Sequence, residues 1–174
     1  MQRVLMLVAH PDDEALFGFH DLYHNKVTVI CFTCGSNPKR RAEFECSART
    51  LKFQGHMLNY IESQGGPNRI DSWKNMTDAT FYRNEVRPLI GYDKYDIVVS
   101  HDADGEYHNI QHIRVHEIAQ HTAKALNIPF ASFRERWNLN YTKELVETKQ
   151  RLLPAIYPSQ SSAINYYMNF YEPT

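Results

Sequence analysis

Five short apolar runs, alternating with stretches of helical character, constrain this chain more than any other feature. Residues 4–8 (VLMLV) are continuously apolar and end at a polar cluster, which suits a strand buried on both faces. Further strand-like runs occupy 27–32, 57–62, 96–100 and 129–133. Residues 14–24, about 40–54, about 79–90 and 112–127 read as helices between them, and a last helix over 143–156 is expected to break at Pro154. This alternation predicts an α/β fold: a mainly parallel sheet of about five strands, joined by βαβ crossovers, with helices on both faces. A length of 174 residues suits a single domain over 1–174.

The first run leads directly into His10, Pro11, Asp12, Asp13 and Glu14. Three consecutive carboxylates at the end of a buried strand repel one another unless positive charge sits among them. Imidazole and carboxylate together suit zinc, whose catalytic sites take three protein ligands and keep one position open. His10 and Asp13 can supply two from one turn, which Pro11 stiffens. Ligands of open α/β sheets collect beyond the carboxyl ends of the strands, so this cluster and the His-rich segment after the fourth strand face one crevice. That segment, which holds His101, His108 and His112, is the source of a third ligand. Cys31 and Cys34 form a C-x-x-C inside a strand, and no second pair completes a thiolate site, so they read as core cysteines.

Residues 9–14 (AHPDDE) resemble the signature of the LmbE/PIG-L family, zinc-dependent deacetylases of N-acetylated sugars and their conjugates. Gly105, Glu106, Tyr107, His112, Val115 and His116 resemble its second signature, and Ser159–Gln160 an S-Q near its end. The resemblance covers most of the chain and implies a Rossmann-like fold. It also implies that His10, Asp13 and His112 bind zinc and that Asp12 is the general base for a zinc-activated water, releasing acetate and an amine. Fe(II) or Co(II) also suits two histidines and one aspartate. Where many family members carry an assisting histidine, three residues before the last ligand, this chain has Asn109, preceded by His108 instead of glycine. Either Asn109 donates a hydrogen bond there, or His108 swings in, or the role is lost. Loss would leave a metal-bound, catalytically inactive binding module. A non-sugar N-acyl substrate or a modified nucleoside is the other alternative to an N-acetylglucosamine-type sugar.

Arg40 and Arg41 follow the turn after the second strand and either reach a substrate phosphate or hydroxyl or end in solvent; Tyr107 joins them as substrate-binding. Glu14 is expected to hydrogen-bond a ligand or cap the first helix, and Asp102 and Asp104 to orient ligands. His116 shares a helical face with His112, and a supporting or structural role is preferred to a fourth ligand. His20, His24, His56 and His121 read as structural. The polar stretch 63–78 is either a substrate-facing or a plain solvated loop. The aromatic tail, with Tyr166, Tyr167, Phe170 and Tyr171, packs on the core, lines a sugar-binding wall or makes a dimer contact.

A net charge of −1 offers no field for nucleic acid or anionic membrane, and no G-x-G-x-x-G follows the first strand. No apolar run approaches the eighteen or so residues of a membrane span. The opening residues lack the phases of a signal peptide and three cysteines make no even framework, which together predict a cytoplasmic protein. The short chain leaves the crevice open, so a second copy closing it as a homo-oligomer is also expected.

Overall fold

A computed structural model describes residues 1–62, 76–137 and 142–168. Strands β1 (Arg3–Val8), β2 (Lys26–Thr33), β3 (Gln54–Tyr60), β4 (Ile97–Ser100) and β5 (Phe130–Ser132) form one sheet in the order β3-β2-β1-β4-β5, every pairing parallel. β1 is central, and the chain reverses its direction of travel across the sheet between β1 and β4. That reversal opens a crevice at the carboxyl ends of these two strands, where α/β sheets bind ligands.

Residues Val4 to Val8 are fully buried because successive side chains feed opposite cores. Val4, Met6 and Val8 pack with Phe19, Phe44, Trp137, Leu153 and Tyr157 on one face. Leu5 and Leu7 pack with Phe81, Ile90, Val115 and Ile118 on the other. The first core is covered by α1 (Asp13–Leu16), α2 (Phe19–His24), α3 (Pro38–Leu51), α8 (Phe133–Trp137), α9 (Lys143–Ile156) and α10 (Ser161–Tyr167). The second is covered by α4 (Asp78–Phe81), continuing through a π-helical turn, Tyr82–Val86, into α5 (Arg87–Ile90), and by α7 (Ile110–Leu126). A kinked turn, α6 (Gly105–His108), precedes α7. At roughly 1.5–3 kcal/mol for each large apolar side chain, burial on both faces makes β1 the rigid axis of the molecule.

Several expected boundaries shift. The helix expected over 14–24 is two, because the chain breaks at Phe17–Gly18. The helix expected to reach residue 54 ends at Leu51, where Lys52 turns left-handed (φ 60°), and β3 starts three residues before the expected 57. β3 is an exposed edge strand, so its apolar pattern is weak. Pro154 does not break α9, which runs to Ile156; its ring sits on the exposed side, so near the helix end it removes one backbone donor. The helices α8 and α10 were not anticipated. Residues 63–75 of the expected substrate-facing loop, and Phe170 and Tyr171 of the tail, lie outside the described residues.

Gly18 separates α1 from α2 because nothing larger fits. A Cβ there would sit 2.7 Å from the carbonyl oxygen of Glu14 and 2.5 Å from Met6 Cε. Met6 can move, but the backbone carbonyl of α1 cannot. Gly18→Ala is therefore expected to lower the unfolding free energy by about 1–3 kcal/mol, read from the urea midpoint, and trimming Met6 in the same protein should recover only part of the loss.

Candidate metal centre

His10 follows β1 directly, and the turn that carries it into α1 brings Asp13 back against it: the His10 backbone N–H donates to Asp13 Oδ2 at 2.7 Å. Asp12, at the apex, has φ 121°, a conformation that costs a non-glycine residue about 1–3 kcal/mol. Its neighbours hold it there. The Asp12 N–H donates to Glu14 Oε2 at 3.0 Å, and the buried Arg40 guanidinium donates to the Pro11 carbonyl and to Asp12 Oδ2. Glu14 is itself fixed by Ser47 Oγ and the Tyr157 hydroxyl, both donating to Oε1. Glu14 thus supports the Asp12 turn and is absent from the candidate ligand clusters found among the described residues.

Asp13 Oδ2 lies 3.2 Å from His10 Nδ1, 3.4 Å from His112 Nε2 and 3.5 Å from His101 Nε2, all of them buried. His10 Nδ1 and His112 Nε2 are 3.1 Å apart. His10, Asp13 and His112 thus form one group whose potential ligand atoms all fall within 4.8 Å of one another, close enough to share one metal ion.

The remaining imidazole nitrogens are held by partners that the sequence reading missed. Gln111 Oε1 accepts from His10 Nε2 at 2.7 Å, while Gln111 Nε2 donates to the Ile61 carbonyl. Glu106 Oε2 accepts from His112 Nδ1 at 2.7 Å and from His101 Nδ1 at 3.0 Å, and Glu106 Oε1 accepts from the Asp102 N–H. Each candidate ligand histidine therefore has its inner nitrogen aimed at Asp13 and its outer nitrogen anchored, the usual support of a metal-binding imidazole. His101, Glu106 and His112 also form a second cluster of ligand atoms, but it shares His112, and the Ala9 N–H occupies His101 Nε2 at 3.1 Å.

The electrostatics fit a cation. Burial resists ionisation of Asp13, yet the facing His112 and His10 hold its carboxyl well below the usual range. Burial likewise opposes charge on His10, but Asp13 outweighs it and raises the imidazole to about 9. Burial, then His101, pull His112 down to about 4. A proton on His10 answers the same field that a divalent ion would, and the donor set of two imidazoles and a carboxylate suits zinc.

A pocket of ≈ 120 Å³ opens over His10, Asp12 and Asp13. Its walls are Leu16, Phe17, Glu62, Tyr107 and Asn109, with Gln160, Ala163 and Tyr167 contributed by the C-terminal segment. Asn109 is doubly used. Its Oδ1 caps α7 by accepting from the Gln111 and His112 N–H groups, and its Nδ2 donates to the Tyr107 hydroxyl at 3.3 Å. His108 is exposed and is not among the lining residues.

The structure does not bring the two expected substrate arginines to the pocket wall. Arg40 is 4% exposed, and besides Asp12 it pairs with Glu43 at 3.5 Å. Arg41 Nε donates to the Gly35 carbonyl, and its guanidinium reaches Glu45 at 4.0 Å. Asp104 does not orient a ligand: it pairs with Arg134 at the surface, and Glu106 takes the orienting position instead. Asp102 also pairs with Arg134, and only its backbone N–H joins the network. His116, four residues after His112, donates from Nδ1 to the His101 carbonyl at 2.7 Å, a supporting role. Cys31 is buried, whereas Cys34 sits beyond the strand end and donates from Sγ to Glu62. Among the described residues no helix is long and apolar enough to cross a membrane.

Comparison with known proteins agrees with this geometry. Residues 5–123 match the family described as PIG-L, GlcNAc-PI de-N-acetylase. The chain is also 30% identical over 125 residues to "Uncharacterized protein L374" of Acanthamoeba polyphaga mimivirus, an alignment covering 62% of this chain and 52% of that protein. The chain thus spans about half the length of that relative. A family match that includes β1, the Asp12 turn and the helix bearing His112 places this chain within the PIG-L family, whose members are generally metal-dependent deacetylases.

Proposed function

We propose that this chain is a zinc-dependent hydrolase that removes the acetyl group from an N-acetylated sugar of the N-acetylglucosamine type, or from a conjugate of one. The observation that carries the reading is Asp13 Oδ2 set between His10 Nδ1 and His112 Nε2, with Asp12 lining the same pocket. Zinc held by His10, Asp13 and His112 would supply a Lewis acid that polarises the amide carbonyl and lowers the pKa of water. Fe(II) or Co(II) suits the same donors. The packing of α9 and α10 onto the core that includes β1 supports one domain over 1–174.

The chain's own residues do the proton work. Burial, and then the charge of Asp13, push the Asp12 carboxyl well above its usual range while Arg40 opposes them, the direction that makes a carboxylate a better proton acceptor. Asp12 accepts a proton as water attacks the carbonyl carbon and returns it to the nitrogen as the C–N bond breaks, giving acetate and amine. Asn109 cannot act as an acid, but its amide N–H can stabilise charge on the carbonyl oxygen. Burial first, and Asp13 next, push the Tyr107 phenol upward, so it stays a neutral donor beside Asn109.

Elemental analysis of the parent protein is expected to give about one metal per chain, lost in both His10→Ala and His112→Ala. Asp12→Asn should retain the metal while acetate release from a panel of N-acetyl sugars falls about 10²–10⁴-fold. A metal-loaded parent that releases no acetate from any sugar of the panel would sink the sugar-deacetylase reading.

A separate expectation concerns Glu106. Glu106→Gln should weaken zinc binding about 10–100-fold in competition with a chromophoric chelator, because one carboxylate anchors both His101 and His112. Asp104→Asn, at the surface pair with Arg134, should leave that affinity unchanged.

A further inference from the structure

We propose that the mouth of this pocket selects an uncharged, ring-bearing N-acyl amine, its ring lying along the Tyr107–Tyr167 wall while Glu62 turns away phosphate or carboxylate groups near the amide. The proposal deepens the hydrolase reading above and rests on it.

Charge is the first argument. Asp12, Asp13 and Glu62 line the pocket, and among the described residues no lysine or arginine does. Recognition of phosphate needs an arginine fork, a lysine or a cradle of backbone N–H groups. Arg40 is committed to the Pro11 carbonyl, Asp12 and Glu43, and Arg41 to the Gly35 carbonyl and Glu45. The starts of α3 and α7, the long helices that begin beside the cluster, are each closed by their own caps, Asn37 and Asn109. An anionic substituent on the mouth side of the scissile amide would meet the Glu62 carboxylate, and among the described residues no cationic side chain lines the pocket to offset it.

Shape is the second. The pocket, at ≈ 120 Å³, is smaller than the roughly 150 Å³ cavity that holds one benzene ring. That suits an acyl group and the attacking water, so the body of the substrate must lie outside. What lies outside is aromatic. Tyr107 and Tyr167 stack with centroids 4.4 Å apart and planes at 21°, and Tyr166 meets Tyr167 edge-on at 4.8 Å. Tyr107 is 37% and Tyr166 80% exposed, a large aromatic surface to leave in water beside a polar cluster. Aromatic faces carry a negative quadrupole: they favour the C–H-rich face of a ring and disfavour anions. Wall and carboxylate therefore impose the same preference.

The test uses the full, zinc-loaded chain with methyl N-acetyl-α-D-glucosaminide and N-acetyl-α-D-glucosamine 1-phosphate as matched probes, which differ only in the C1 substituent beside the C2 amide. Acetate release should favour the neutral glycoside at least tenfold in kcat/KM. Glu62→Lys should shrink or invert that ratio by tenfold or more, and Glu62→Gln should move it in the same direction. Tyr167→Ala should raise KM for the glycoside about tenfold with little change in kcat, and Tyr167→Phe should recover most of that loss. Equal or faster turnover of the phosphate ester, or a ratio indifferent to both Glu62 substitutions, overturns the proposal. Calorimetric titration of both probes into the Asp12→Asn protein separates this failure from failure of the hydrolase reading. Selective binding of the glycoside, with no acetate released by the parent, supports the mouth as drawn while refuting the chemistry; binding of neither probe refutes the mouth.

Discussion

The structure turns on one buried carboxylate. Asp13 sits at the carboxyl end of the central strand, 2% exposed, with imidazole nitrogens of His10, His101 and His112 around a single oxygen. Removing a carboxylate from water costs several kcal/mol unless charge and hydrogen bonds replace the lost hydration. Everything near it supplies that replacement. Glu106 and Gln111 anchor the outer nitrogens of the imidazoles, and Arg40 and Glu14 hold the strained turn that presents Asp12 beside it.

The fold makes this burial affordable. Because β1 is the middle strand and the connection reverses across it, segments after β1 and β4 emerge side by side although nearly a hundred residues separate them. Ser100 Oγ donates to the Leu7 carbonyl, which pins the two strand ends at the base of the crevice. A site seated at the ends of two buried, paired strands is held more closely than one carried on loops alone.

What was legible in the sequence follows from this. Buried strands of a parallel sheet write continuous apolar runs, so β1, β2 and β4 could be read directly, whereas the half-exposed edge strand β3 could not be placed well. The cluster of His10, Asp13 and His112 was legible because its first part is a compact local motif. Its supports were not. Gln111 and Glu106 lie within six residues of His112, yet nothing in their spacing says which nitrogen they hold, since a kinked turn with Glu106 at φ 59° aims that carboxylate. The nearer-looking Asp104 is drawn away by Arg134. Arg40 was read as a substrate ligand because its position beyond β2 is right; only the packing shows that its charge is used inward, on Asp12 and Glu43.

That inward charge links parts of the molecule that the family pattern treats separately. Glu43, paired with Arg40, accepts from the backbone N–H and hydroxyl of Ser159, and Gln160, the next residue, lines the pocket. A continuous buried path therefore runs from Asp12 through Arg40 and Glu43 to the turn that begins the C-terminal wall. The family match ends at residue 123, but the wall comes from residues 160–167, held also by the buried Lys149 ammonium donating to the Met168 carbonyl. Buried ion pairs contribute little net stability beside apolar packing of equal volume, but each fixes the position of its partners. Here the placement of Asp12 and the position of the Gln160–Tyr167 wall depend on the same pair of charges, so a change in either Arg40 or Glu43 must be felt at both.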